Sequence, residues 1–151
     1  MLVEEKGKVG IIVLSMSQDD VDTVARLPYS MVISDSLYGK SDSPHPRLYG
    51  SFPKIIREYV TQRKVLTLEN AIHKMTYLPA KRLQIAGRGL LSEGNYADIN
   101  IFDPLKLADH AVYGKPKQLC TGFNYVLIDG KVVLEQDKRL KEYNANILKF
   151  K

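Results

Sequence analysis

Residues 9–36 read Val9-Gly-Ile-Ile-Val-Leu14, then Ser15-Met-Ser17, then Gln18-Asp-Asp-Val-Asp-Thr-Val-Ala-Arg26, and after Pro28 close on Met31-Val-Ile-Ser-Asp-Ser36. Both outer runs are continuous in apolar, largely β-branched residues, the pattern of strands buried on two faces. Between them Ser17 is placed to cap a helix with Asp19 and Asp20 in its first turn, near the positive end of its dipole. Val21, Val24 and Ala25 supply its apolar face, and Pro28 stops it. Strand, helix and strand in so short a span predict a βαβ unit, which requires a parallel sheet covered by helices.

Downstream, Leu37 to Gly50 is rich in Gly, Ser and Pro and reads as a long loop. A helix is expected from Ser51 as cap, with Pro53 in its first turn and Phe52, Ile55, Ile56, Tyr59 and Val60 on one side. Thr67 caps the next, with Leu68, Ala71, Ile72 and Met75 as its stripe, and Pro79 ends it. A short helix through Leu83 follows, until Gly87 and Gly89. The period then changes. Ala97, Ile99 and Ile101 alternate with Asp98, Asn100 and Phe102, and Tyr125–Ile128 joins Lys131–Leu134 through Asp129-Gly130, a two-residue hairpin signal. Two parallel strands and three antiparallel ones leave open edges, so the order of elements reads as part of a larger α/β architecture or of an oligomer, with apolar surface exposed.

The bulk numbers set limits. A chain of 151 residues, 44% hydrophobic and 26% charged, can bury one ordinary core. Its 22 basic and 17 acidic residues give a net charge of +5. That excess is scattered, with a mild concentration at Lys138, Arg139, Lys141, Lys149 and Lys151, so nucleic acid is not the expected partner. The single Cys120 cannot close an internal disulfide. No stretch resembles a signal peptide or spans a bilayer, which predicts a cytoplasmic protein without membrane contact.

Asp35 follows directly on the second predicted strand, and the carboxyl ends of parallel strands are where catalytic side chains collect in α/β folds. Taken bare, Ser-Asp-Ser after a strand is more often a turn or cap. His45, between Pro44 and Pro46, and Arg47 could meet an anionic substrate or a leaving group; otherwise His45 packs in a rigid loop, against a tyrosine for instance. His73 and His110 read as surface residues. No His-x-His, His-Glu-x-x-His or Cys pair is present, so the chain offers no self-contained zinc site. Cys120 lacks the neighbours of a nucleophile, and Gly87-Arg-Gly89 is not a phosphate loop.

Several motifs in one order resemble a known family: Ser34-Asp35-Ser36, Pro44-His-Pro-Arg-Leu-Tyr-Gly-Ser-Phe-Pro53, Leu68-Glu-Asn-Ala-Ile-His-Lys-Met-Thr76 and Pro79-Ala-Lys-Arg82. With Gly87-Arg-Gly89, Gly94-Asn-Tyr-Ala-Asp98, Ile101-Phe-Asp-Pro104 and Val126-Leu-Ile-Asp-Gly130 they resemble D-aminoacylases and related N-acyl-D-amino-acid deacylases of the amidohydrolase superfamily, over Val9 to Val133. The resemblance implies an α/β fold that is the C-terminal portion of a (β/α)8 barrel, followed by a small antiparallel segment of a composite β-sandwich. Residues 1–90 would hold the last barrel strands and helices, and residues 91–151 the sandwich segment and tail.

The resemblance also implies the chemistry. Asp35 would be the catalytic residue, taking a proton from zinc-bound water as it attacks the amide carbonyl and passing it to the leaving amine; it would also touch the metal. His45 and Arg47 would bind substrate, an N-acyl-D-amino acid. Ser36 stands where the family usually has Gly. The family's other zinc ligands lie upstream of any residue here, so zinc belongs to the full-length enzyme, and the chain alone is expected to be inactive without the N-terminal barrel segment or another chain to complete it. The competing reading is a non-catalytic binding or assembly module on the same scaffold.

Overall fold

A computed structural model describes residues 3–4, 6, 13, 15–36, 43–141 and 145–148. The first helix, α1 (Gln18–Arg26), forms as its sequence dictates. The Ser17 hydroxyl accepts the Asp20 amide at 3.1 Å, Asp19 and Asp20 fill the first turn, and Arg26 the last. Leu27, held extended by the proline after it, terminates the helix at ψ 133°.

The second helix starts earlier than expected. α2 spans Arg47–Lys54, so the long predicted loop ends at Pro46, and residues 37–42 of it lie outside the described residues. Pro46 pre-sets a helical φ of −53°, and Ser51, expected as the cap, instead donates its hydroxyl to the Arg47 carbonyl from inside the helix. Pro53 therefore sits in the helix interior, with no N–H to offer the Tyr49 carbonyl. From Ile55 to Gln62 the helix continues in the wider π form, and the Arg63 amide closes it on the Glu58 carbonyl at 2.8 Å.

α3 (Leu68–Met75) is capped by the Thr67 hydroxyl at 3.2 Å from the Asn70 amide, and α4 (Tyr77–Arg82) follows after Thr76. The helices pack through Ile56, Tyr59, Leu66 and Ala71. Val21 and Ala25 of α1 and Ile72 and Met75 of α3 lie against this core.

The final third forms an antiparallel meander, β1 (Ile99–Phe102), β2 (Phe123–Ile128), β3 (Lys131–Glu135) and β4 (Lys138–Arg139). Asp129 (φ 49°) and Gly130 (φ 78°) make the anticipated two-residue turn. A second such turn at Gln136 and Asp137, both left-handed, adds a fourth strand not foreseen in the sequence. The alternation expected in β1 is broken by a bulge between Ile101 and Phe102. Phe102 consequently faces the core with Phe123, and Ile101 is exposed.

One expected strand does not appear among the described residues. Met31–Ile33 is assigned to no strand: the Val32 amide donates to the Lys74 carbonyl, and Ile33 is 71% exposed. A parallel strand is held by neighbours along its edges, and none lies beside it among the described residues. Its expected neighbour, Val9–Leu14, falls outside them except for Val13. No helix is long and apolar enough to cross a membrane among the described residues.

Candidate active site

Asp35 lies in the left-handed region, φ 48°, a conformation that costs a non-glycine residue roughly 1 kcal/mol. Its carboxylate meets the Arg47 guanidinium at 3.0 Å. Both side chains are partly open to solvent, so the pair adds little to stability; what it does is bring a carboxylate and a guanidinium together. Arg47 opens α2, and its backbone amide is one of the donors that a helix start leaves without an intrahelical partner.

His45 supplies that partner: its Nδ1 accepts the Arg47 amide at 3.1 Å. With Nδ1 an acceptor, the neutral ring carries its hydrogen on Nε2, which lies 3.3 Å from the Tyr113 hydroxyl. The two rings meet edge to face, with centroids 5.4 Å apart. Burial lowers the His45 pKa below the usual histidine value, and the charges of Arg47 and Lys54 add to this while Asp35 opposes them. The imidazole is therefore neutral at neutral pH.

Asp35, His45 and Arg47 are thus brought into one group, joined by Tyr113, which is far away in sequence. The site offers a carboxylate able to accept and return a proton, and a guanidinium whose planar fork suits a substrate carboxylate. It does not fit a metal centre by itself. Among the described residues no three His, Cys, Asp or Glu side chains group as ligands, Asp35 is engaged by Arg47, and both His45 nitrogens are occupied.

The remaining candidates fall elsewhere. His73 is exposed and tilts against Tyr77, and His110 pairs with the Thr121 hydroxyl at 2.8 Å. Burial pushes the Cys120 thiol pKa up, which favours the unreactive thiol. Arg88, between the two glycines, pairs with Asp98 and lies 4.1 Å from the Tyr96 ring centroid, a structural contact. A cleft of about 660 Å³ is lined by Arg26, Lys64, His73 and Lys74 among others, and holds none of the three site residues.

The amidohydrolase family model matches residues 20–134. The D-aminoacylase of Alcaligenes xylosoxydans xylosoxydans is 33% identical over 147 residues, which is 97% of this chain and 30% of that protein. A solved D-aminoacylase superposes with a TM-score of 0.79 at 34% identity, over 84% of this chain and 27% of its own. The N-acyl-D-glutamate deacylase of Bordetella bronchiseptica, solved with zinc and a phosphonate inhibitor, gives 0.76 at 39% identity over 82% and 26%. The chain thus spans less than a third of the length of these relatives.

Proposed function

Since the chain belongs to the amidohydrolase family, we propose that it carries the proton-transferring carboxylate and a substrate-binding arginine of a zinc-dependent deacylase acting on N-acyl-D-amino acids in the cytoplasm. The observation that carries this reading is the Asp35–Arg47 pair at 3.0 Å, formed by two residues of the family-matched region. Asp35 takes a proton from the water that attacks the amide carbonyl and gives it to the departing nitrogen, which leaves poorly unless protonated. Arg47 exchanges Asp35 for the substrate's free carboxylate and so orients the amide toward the carboxylate it releases.

Zinc calls for donors beyond those grouped among the described residues, and we assign them to a complementary barrel segment or another chain. Residues 1–90 would then belong to the barrel, and 91–151 to the sandwich and tail. The chain without that complement is expected to show no turnover with added zinc; measurable hydrolysis by it alone would contradict this. For Arg47 the test is Arg47→Ala in the active enzyme: KM for the N-acyl-D-amino acid should rise by roughly tenfold or more, with amides lacking the carboxylate unaffected. Equal effects on both substrates would refute the role.

A second reading is a non-catalytic module on the same scaffold. It is favoured by the absence of a ligand cluster among the described residues, and turnover by the chain combined with a zinc-binding complement would exclude it.

A further inference from the structure

Resting on the assignment of Arg47 to substrate binding, we infer that Tyr113 is a positioning residue: its hydroxyl holds the His45 ring, and that ring holds the first amide of α2, from which Arg47 extends. The segment between β1 and β2 is built to deliver it. Val112 and Lys115 exchange backbone hydrogen bonds, amide to carbonyl at 3.3 and 3.0 Å, which closes a two-residue turn with Tyr113 and Gly114 (φ 85°) at its tip. Immediately before the turn, Asp109 is fixed to Arg57 of the π-helix at 2.5 Å, while Ala111 and Leu107 are buried.

The absence of a side chain at Gly50 allows this close approach, since a Cβ there would stand 3.2 Å from that of Asp109. On the other side, Ala108 and Thr121 exchange hydrogen bonds and His110 reaches the Thr121 hydroxyl. The strap is anchored at both flanks, and Tyr113 reaches His45 from its tip.

Tyr113 is itself 55% exposed, so burying its ring is not its role. Its ring and its oxygen both meet His45. With Nδ1 committed to the Arg47 amide, Nε2–H donates to the phenol oxygen, and the imidazole is fixed at both nitrogens. This chain of contacts reaches across 68 residues of sequence to the start of the helix that bears the guanidinium.

The test is hydrogen exchange at the Arg47 amide in this chain, for wild type, Tyr113→Phe and Tyr113→Ala, with the core Ala71 amide as internal reference. Tyr113→Phe keeps the ring contact and loses the oxygen, so exchange at Arg47 should quicken by about fivefold, and further in Tyr113→Ala, with Ala71 unchanged. Equal Arg47 exchange in wild type and Tyr113→Ala would overturn the inference; so would an equal acceleration at Ala71, which marks general destabilisation. No substrate enters this measurement. If exchange responds as stated but KM in the active enzyme does not move with Tyr113→Phe, the positioning stands and the reading of Arg47 is at fault.

Discussion

Protonating His45 would set two N–H groups against each other, its own Nδ1–H and the Arg47 amide, and the helix start would lose its acceptor. The folded-state pKa lies below the ordinary 6.5, so between the two values the unfolded chain binds more protons than the folded one. The stabilisation from neutral His45 is therefore complete above pH 6.5 and is lost as pH falls through the depressed value. Wild type and His45→Ala should accordingly differ more in unfolding midpoint at pH 7.5 than at pH 4.5; a pH-independent difference would contradict the assignment. Lys74 is the converse case, a group that makes its bonds as a donor. Its ammonium is buried against the carbonyls of Leu27 and Ser30 and the Ser30 hydroxyl, and burial lowers its pKa. Lys74→Met removes the ammonium donor that the Ser30 carbonyl and the Leu27 carbonyl share, Leu27 keeping its bonds from Ser30, and should cost about 1–3 kcal/mol in denaturant unfolding. The sequence marked Asp35, His45 and Arg47 as candidates because strand ends and proline-flanked loops are where such side chains gather. Tyr113 could not be read there, since its role exists only once distant segments meet.

The elements were legible where local chemistry decides them. Thr67, Ser17 and Asp129-Gly130 act as caps and turn in the structure as they read in the sequence. Ser51 misled because a cap residue is also tolerated inside a helix, where its hydroxyl bonds back to the preceding turn. The bulge that turns Phe102 inward is likewise invisible to a period-two pattern, because it depends on register with β2. Two substitutions probe how the elements join. Gly89, at φ 81°, would place a Cβ 2.8 Å from the Thr76 carbonyl oxygen, so Gly89→Ala should destabilise by about 2 kcal/mol or more in denaturant unfolding. Asp22, buried on α1, receives both guanidinium nitrogens of Arg63 at 2.9 and 2.5 Å. Burial alone would raise its pKa, but hydrogen bonds from Arg63 and Gln18 and the Arg63 charge lower it overall. The pair's contribution is present above pH 3.8 and lost as pH falls through the depressed value, so Asp22→Asn should lower the unfolding midpoint at pH 7 and have less effect in stronger acid.

At the level of the whole molecule, Val13, Met16, Tyr29 and Ile33 are each more than two-thirds exposed along the first described segment. Apolar side chains concentrated in that way favour association, and the chain should bind a hydrophobic dye or self-associate in light scattering. The antiparallel sheet and the helices were readable from periodicity, and the family from motifs in order. A parallel sheet was not obtained for Met31–Ile33, because a strand of that kind is defined by neighbours that the described residues do not include. The proposed chemistry turns on one carboxylate, and the measurement that tests it is the turnover of an N-acyl-D-amino acid by the chain combined with its zinc-binding complement, with and without Asp35→Ala. A fall in kcat of about 10²–10⁴-fold, with folding intact, is the expected result; a variant that retains wild-type kcat would contradict the role given to Asp35.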